Sequence, residues 1–452
     1  MARVSPPSFP TAEEINPDST MFRHISDEIM LHGQCYDELR VLCKTIGNRI
    51  SGSPKAAQAV VWGEKEMKAA GADKVWLQAA DVPHWVRGKE ELKLKYGKNG
   101  AYKKVPMLSL GSSEGTGGKI LQAEVLMVAN FDEFKTLSKE QVKGKIVFFN
   151  YRFRQDLINT FEAYGDAVKY RGAGPYVAAE KGAVGIIIRS MSTGEDDFPH
   201  TGSTHYYDSV KSIPSVAVGN YTADSLEKNC KKGIVIAQLQ SNCTMMKDKV
   251  RSYNVIGEIT GSVHPDEIIL VGGHLDSWDV GEGANDDGAG VVQSMEVIRT
   301  FKALGIKPKR TIRAVLFINE ENGLRGGFAY ADSAKKNNEH HILAVETDAG
   351  GFAPRGFGME MSPAQKQEIL VYKNLFLPYG VYDFSQDEGG ADISPLRKMD
   401  IPEMGLLPDP QRYFDIHHTN NDVFENVNHR ELKLGSVVLT QLLYLVSEYG
   451  LK

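Results

Sequence analysis

The sequence predicts an α/β protein: a mostly parallel central sheet flanked by helices, with a β-rich segment set into it. Two observations predict this. After residue 249 strand-like and helix-like runs alternate, and between about 115 and 248 the texture changes to short β-like runs such as "GKIVFFN", "GAVGIIIRS" and "IPSVAVG" separated by turn residues. Alternation of the first kind argues for parallel strands covered by helices. A third observation is size. At 452 residues, 42% of them hydrophobic, the chain exceeds the length at which a single core stops growing, so two domains are expected. The expected division is 1–114 for the first part of the main domain, 115–248 for the inserted domain and 249–452 for the rest of the main domain.

In order along the chain, apolar residues Tyr36, Leu39, Leu42 and Ile46 recur at helical spacing and stop at Gly47. A second helix is predicted over 54–71, with proline in its first turn and glycine at its end. "DKVWLQAADVPHW" reads as a strand entering a loop. Within the insert, "YVAAEKG" and "TADSLEKNC" are helical patches. The returning alternation is strand "EIILVGGH", helix 288–304, strand "TIRAVLFIN", helix 324–334, strand "ILAVET" and a last helix over about 430–449.

Composition narrows the function. Net charge is −6 with both signs dispersed and no basic block, which argues against a nucleic-acid partner. No run approaches the ~18 apolar residues of a membrane span. The opening "MARVSPPSFPTAEEINPDST" lacks the apolar centre of a secretory leader. The expected location is secreted, periplasmic or lumenal, with a leader missing from the given sequence, and a cytoplasmic one stays open. The four cysteines are too few for a disulfide scaffold and form no CxxC pair.

The chemistry gathers at predicted strand ends. His274 ends one strand, Glu320 and Glu321 end the next, Asp348 ends the third, and "YFDIHHTNND" adds His417, His418 and Asp422. Open α/β sheets place ligands at that edge. The stretch "GGHLDSWDVGEGANDDGAG" (272–290) is dense in carboxylates, which are costly to bury unless a cation neutralises them. Imidazole with carboxylate suits zinc. Two zinc ions sharing one bridging carboxylate need about five protein ligands, and His274, Asp286, Glu321, Asp348 and His418 have that number. Three carboxylates and a hydroxide balance two divalent ions. Glu320 remains beside them to take a proton from water and pass it to a leaving amine.

Taken singly, each residue has an ordinary explanation. An acidic pair starting a helix meets a favourable dipole, Asp348 can cap a turn before Gly350-Gly351, and His340-His341 is another adjacent pair with no assigned role. His417 reads as packing, and Asp279 and Asp287 as loop hydrogen-bonders. The case rests on the ensemble.

"HLDSWDVGEGANDDGAG", "NEENG", "ETDAG" and "HHTNND", in that order, resemble the co-catalytic zinc exopeptidases of peptidase family M28. "IGNRISGS", "VPHWVRG", "LGSSEGT", "FPHTG" and "PKRTIRAVLF" extend the likeness over nearly the whole chain, and the insert is similar to a protease-associated domain. The resemblance implies a peptidase of short peptides, dipeptides above all, with aminopeptidase action on longer peptides as the alternative. It implies that Asp286 bridges two zinc ions, that Asp276 orients His274, that Glu320 is the general base, and that a homodimer is the expected assembly. The insert is expected to wall the cleft, limit peptide length or join dimer contacts. A rival reading, the G-x-S-x-G pattern at 111–115, needs a helix after it, whereas "TGGKILQAEVLMV" reads as turn and strand.

Overall fold

The computed structural model describes residues 17–207 and 209–452, so most of the opening stretch read for a leader lies outside the described residues. One sheet has seven strands, in the order Lys74–Val82, Val250–Ile259, Arg310–Phe317, His264–His274, His340–Glu346, Glu403–Pro408 and Pro354–Glu360. The four strands from Arg310–Phe317 to Glu403–Pro408 pair in parallel, and the ladders outside them are antiparallel. The sheet is therefore mixed, and parallel only in its middle, which corrects the expectation of a mostly parallel one.

The antiparallel edge has a topological reason. Lys74–Val82 carries the chain away and Val250–Ile259 brings it back alongside, with Val82 opposite Val250 and Lys74 opposite Glu258. The intervening segment must leave from the Val82–Val250 end. Because Val255 pairs with Leu316 and Ile259 with Ile312, that end lies toward the carboxyl ends of the parallel strands.

The helices form where their ends are satisfied. Ser53 accepts from the Ala56 amide at 3.1 Å to start Pro54–Ala69, and Asn428 accepts from the amides of Arg430 and Glu431 to start His429–Tyr449. Ala289–Ala303 packs with His429–Tyr449 on one face of the sheet, while Arg325–Lys336 shares a core with Leu270, Val315 and Phe317 on the other. Covered on both sides, Ile268–Gly273 and Thr311–Phe317 are buried throughout, as parallel strands between helices must be.

A second, eight-stranded sheet is built from the intervening segment. Its middle, Leu121–Val128, Ile146–Phe149, Gly185–Arg189 and Ser215–Val218, is parallel, with Thr160–Gly172, Gly174–Glu180 and Asn220–Cys230 among its helices. The segment is thus itself α/β rather than simply β-rich. Strands Glu90–Tyr96, Tyr102–Val105 and Leu108–Ser109 also join it, ahead of residue 115. They carry "ELKLKY", whose alternation marks a strand but not the sheet it belongs to. One apolar core spans both parts, joining Val147, Ala163, Ile186 and Ile188 to Phe352, Tyr413 and Phe414.

Candidate metal centre

The register puts the predicted residues on one edge. His274 is the last residue of its strand, level with Phe317, and Gly272 is level with Glu346. Glu320 and Glu321 therefore follow one neighbouring strand by a few residues, and Asp348 follows the other. The loop after His274 is wrapped around Arg49, a fully buried side chain that donates to the carbonyls of Glu282 (2.8 Å) and Gly283 (2.9 Å). Asp422 accepts from the amides of Asn285 (2.8 Å) and Asp286 (3.1 Å), which fixes the bend carrying Asp286. Asp287 accepts from the amides of His274 and Gly290, both at 2.9 Å. Gly273 makes room for that carboxylate, since a Cβ there would lie 2.3 Å from Asp287 Oδ2.

Asp286 sits at the centre with its two oxygens turned to different partners. Oδ1 lies 3.1 Å from His274 Nε2, which is itself 3.5 Å from Asp348 Oδ1. Oδ2 lies 3.1 Å from His418 Nε2, which is 3.2 Å from Glu321 Oε2. All five predicted ligands are thus drawn into one cluster with two poles. His417 stacks on His418 with ring centroids 3.5 Å apart, and its Nε2 is 3.6 Å from Asp286 Oδ2. His417 and Asp287 could each offer a further ligand atom. Both oxygens of Asp287, however, are already engaged with main-chain amides.

Asp276 reaches His274 through its main chain. The ring of His274 is held by the main-chain carbonyl of Asp276, 2.9 Å from Nδ1. The Asp276 carboxylate instead accepts from Ser51 Oγ (2.9 Å) and from the amides of Asn319 (2.6 Å) and Glu320 (3.1 Å). It braces the turn that presents the two glutamates. Asp276 thus meets His274 Nδ1 chiefly through its carbonyl, with carboxylate Oδ1 3.9 Å from the same nitrogen and bound to two main-chain donors.

The electrostatics call for a cation. Burial, with Asp286 and neighbouring acids adding to it, pushes Glu321 well above the ordinary carboxylate range and Asp348 upward, and burial takes Glu320 up to about 8 and Asp422 up to about 7. Asp286 alone is held well down: burial opposes its charge, but the imidazoles of His274 and His418 beside its two oxygens outweigh it. Asp286 Oδ2, Glu321 Oε1 and Asp348 Oδ1 are buried with no hydrogen-bond partner. Buried carboxylate oxygens without donors, facing imidazole nitrogens, fit divalent zinc.

The cluster opens into a cavity of about 210 Å³ lined by Glu320, Glu321, Asp348 and His418 and, from the inserted segment, by Phe161, Tyr164, Arg171 and Ser203. Phe161 and Asp348 also line a neighbouring cavity of about 470 Å³, walled by the loop 386–391, Arg355 and Pro408–Gln411, so the two adjoin. This places "QDEGGADISP" and "LLPDPQRYF" beside the site. Glu346 fixes that loop by accepting from the amides of Ala391, Asp392 and Ile393. Sequence reasoning missed Tyr164, Arg171 and Ser203. "FPHTG" was the available signal, for Thr201 within it donates its amide to the His418 carbonyl at 3.0 Å.

Asp279 is, as its loop position suggested, a hydrogen-bonder: it takes both Nε (2.8 Å) and Nη2 (2.6 Å) of Arg87. Ser113 of the G-x-S-x-G pattern is buried against Cys243 Sγ at 3.3 Å, and strand Leu121–Val128 follows where a serine hydrolase needs a helix. It offers no nucleophile.

Residues 254–441 match peptidase family M28. Beyond that segment the chain is 34% identical over 447 residues to carboxypeptidase Q of Xenopus laevis, covering 96% of this chain and 92% of that protein. The chain belongs to peptidase family M28. A human carboxypeptidase Q is 35% identical, covering 91% of this chain and 85% of its own length. Among solved structures, a peptidase M28 precursor from Shewanella amazonensis has a TM-score of 0.91 at 31% identity, over 96% of this chain and 98% of that one. A zinc aminopeptidase from Bacillus subtilis, at 20% identity and a TM-score of 0.66 over 91% of this chain and 94% of its own, shares the fold. As a member of family M28 the protein is a metallo-exopeptidase, and the two-pole cluster contains side chains that could hold a metal ion. No helix among the described residues is long and apolar enough to cross a membrane.

Proposed function

We propose that the protein is a di-zinc exopeptidase acting on short peptides, dipeptides above all. The observation that carries this is Asp286: its two carboxylate oxygens each face a separate histidine and acid, His274 with Asp348 and His418 with Glu321. That is the arrangement a bridging carboxylate needs. His274 and Asp348 would hold one zinc, His418 and Glu321 the other, and Asp286 both. When bound, the ions supply Lewis-acid polarisation and an acidified water.

The remaining steps fall to the protein. Glu320 faces the same cavity, and its pKa is raised by burial rather than lowered by any hydrogen bond. Its carboxylate is placed to accept the proton of the attacking water and deliver it to the departing amine. Asp276 keeps Glu320 aimed by holding its amide. Phe161, Tyr164 and Phe414 give the cavity an aromatic wall.

The inserted segment 115–248, which we read as a protease-associated domain and whose sheet is joined by strands from Glu90 onward, restricts the cleft to chains with a free end. The name carboxypeptidase Q, carried by relatives at 34% and 35% identity, favours release of C-terminal residues over the action of an aminopeptidase on long peptides. A homodimer is retained as the expected assembly. The decisive experiment is a cleavage panel of dipeptides, longer peptides and end-blocked analogues, with and without chelator, alongside elemental analysis. Rates should fall steeply from dipeptides to blocked or long peptides and vanish with chelator. Equal rates on a dipeptide and on an internal bond of an unfolded protein would remove the exopeptidase reading and leave the metal site standing.

A further inference from the structure

One corner of the second sheet gathers lysines from two distant stretches of the chain. The hairpin over 91–105 carries Lys93, Lys95, Lys98, Lys103 and Lys104 against a single acid, Glu91. Residues 227–234, the end of helix Asn220–Cys230 and the turn after it, carry Lys228, Lys231 and Lys232 against Glu227. Neither stretch contains an arginine. The fold brings them together: Val235 pairs with Tyr96 and Ile236 with Lys95, the Gly97 amide donates to the Ile234 carbonyl at 2.9 Å, and the Tyr96 hydroxyl lies 3.2 Å from Ser225 Oγ of the helix. The turn at 97–100 and the turn at 231–234 therefore lie side by side.

The charge of this corner is largely uncompensated. Glu91 is taken by Lys93 (2.6 Å) and Lys104 (3.5 Å), and Glu227 by Lys231 (2.6 Å) and Arg152 (2.7 Å). Lys98, Lys103, Lys228 and Lys232 are exposed and make no ion pair among the described residues, in a chain whose net charge is −6. Like charges crowded in this way repel one another. Lysine on an edge strand keeps it from pairing with another chain, and Tyr102–Val105 is such an edge. That accounts for Lys103 and Lys104 but not for Lys98, Lys231 and Lys232, which lie in turns. Among them Ile234 is 44% exposed. A Cβ on Gly97 or Gly233 would meet nothing within 4 Å, so nothing overhangs the two turns.

The residue types select the partner. Surfaces that grip nucleic-acid phosphates use the planar fork of arginine and stack bases on aromatic rings. Here every cation of the two turns is a lysine point charge, and the ring of Tyr102 is already covered by Lys95, 5.9 Å from its centroid. Point charges around an exposed isoleucine match a diffuse anionic plane with an apolar layer beneath it. We propose that this corner docks the protein reversibly on an anionic phospholipid bilayer, with Lys98, Lys231 and Lys232 at the lipid phosphates and carboxylates and Ile234 entering the headgroup layer. The attachment holds the peptidase at a membrane surface and leaves its metal cluster untouched.

The test is co-sedimentation of the zinc-loaded full chain with phosphatidylcholine vesicles, with and without phosphatidylserine. Wild type should bind only the anionic vesicles and leave them near 1 M salt, where screening acts within ~3 Å. Each lysine at an anionic surface strengthens partitioning by roughly fivefold, so the combined variant Lys98→Gln, Lys231→Gln, Lys232→Gln should lose about 100-fold. A control triple, Lys307→Gln, Lys335→Gln, Lys336→Gln, removes the same charge from exposed lysines elsewhere and should bind as wild type does. Ile234→Ser should weaken binding by about threefold without changing its salt dependence. Melting temperature and zinc content should match wild type in all of them, and if the first triple does not fold, Lys232→Gln carries the test at about fivefold. Equal losses in the two triples would show that net charge and not this corner binds. That result, failure of wild type to bind anionic vesicles, or binding to heparin or single-stranded DNA in place of vesicles overturns the proposal and leaves the lysines as guards of a sheet edge.

Discussion

The two poles of the cluster are built by different means. The His274 pole belongs to the central sheet: the histidine ends a buried strand, its ring is held by the Asp276 carbonyl, and Asp348 comes from the strand alongside. The His418 pole stands on a loop, with His418 itself at a φ of +61°, and leans on the inserted segment. Thr201 donates its amide to the His418 carbonyl and offers its own carbonyl to Nδ1 at 3.3 Å, while Ser203 Oγ donates to the Glu321 carbonyl at 2.8 Å. The difference teaches that one pole is a property of the sheet and the other of the contact between two parts of the chain. Asp286 joins them, held by Asp422 from the C-terminal cluster.

Breaking the joint should have the largest effect. Asp286→Ala removes the shared ligand, so the expected zinc content falls from two per chain toward none and dipeptide turnover is lost; elemental analysis after dialysis checks this. Retention of two zinc ions would show that the poles are independent sites.

Next in size is Glu320→Gln, which touches neither pole. It should lower kcat by about 10²- to 10⁴-fold while zinc content and melting temperature hold. Glu321→Gln should instead weaken the His418 pole and lose one zinc. Should the two variants exchange phenotypes, the roles of the adjacent glutamates are reversed.

A subtler variant separates the poles. Gly202→Ala places a Cβ against Arg171 at a backbone angle that L side chains avoid, which costs on the order of 1–3 kcal/mol locally. It should loosen Thr201 and with it the His418 pole only, leaving one zinc tightly bound. Loss of both ions, or of neither, would sink the contrast between a sheet-built and an insert-dependent pole.

The smallest expected effect is on stability. In zinc-free protein burial raises Glu320 to about 8 and Glu346 and Asp422 to about 7, above ordinary values of 4.5, 4.5 and 3.8. An acid whose pKa rises on folding leaves the native state holding more protons than the unfolded chain, so stability falls as pH rises through that window. His200 and His417, lowered by burial, act oppositely, but only below the ordinary histidine value of 6.5. From about pH 6.5 to 8 the melting temperature of zinc-free protein should therefore decline, and added zinc should restore it. A flat profile without zinc would mean the acids are already neutralised some other way.

The sequence by itself determined much of the sheet-built part. Apolar runs ending in His274, Glu320-Glu321 and Asp348 were legible because a buried parallel strand must be apolar along its length and a ligand edge must not be. Residue type and order also named the five residues that meet in the cluster, and the family. The helix ends at Ser53 and Asn428 follow from local capping. Only the tertiary structure decided the rest. Glu90–Tyr96 and Val250–Ile259 both form strands, yet one joins the second sheet and the other the first, because sheet membership is set by partners far away in sequence. Which atoms of Asp276 meet His274 is another such case: the carbonyl holds the ring while the carboxylate satisfies the amides of Asn319 and Glu320, a division fixed only once the neighbouring strand lies beside it. Arg171 reads in sequence as one basic residue near the end of a helix. Its place beside His418, 247 positions away, comes from docking the inserted segment over the cluster, and no local periodicity encodes a contact across that separation.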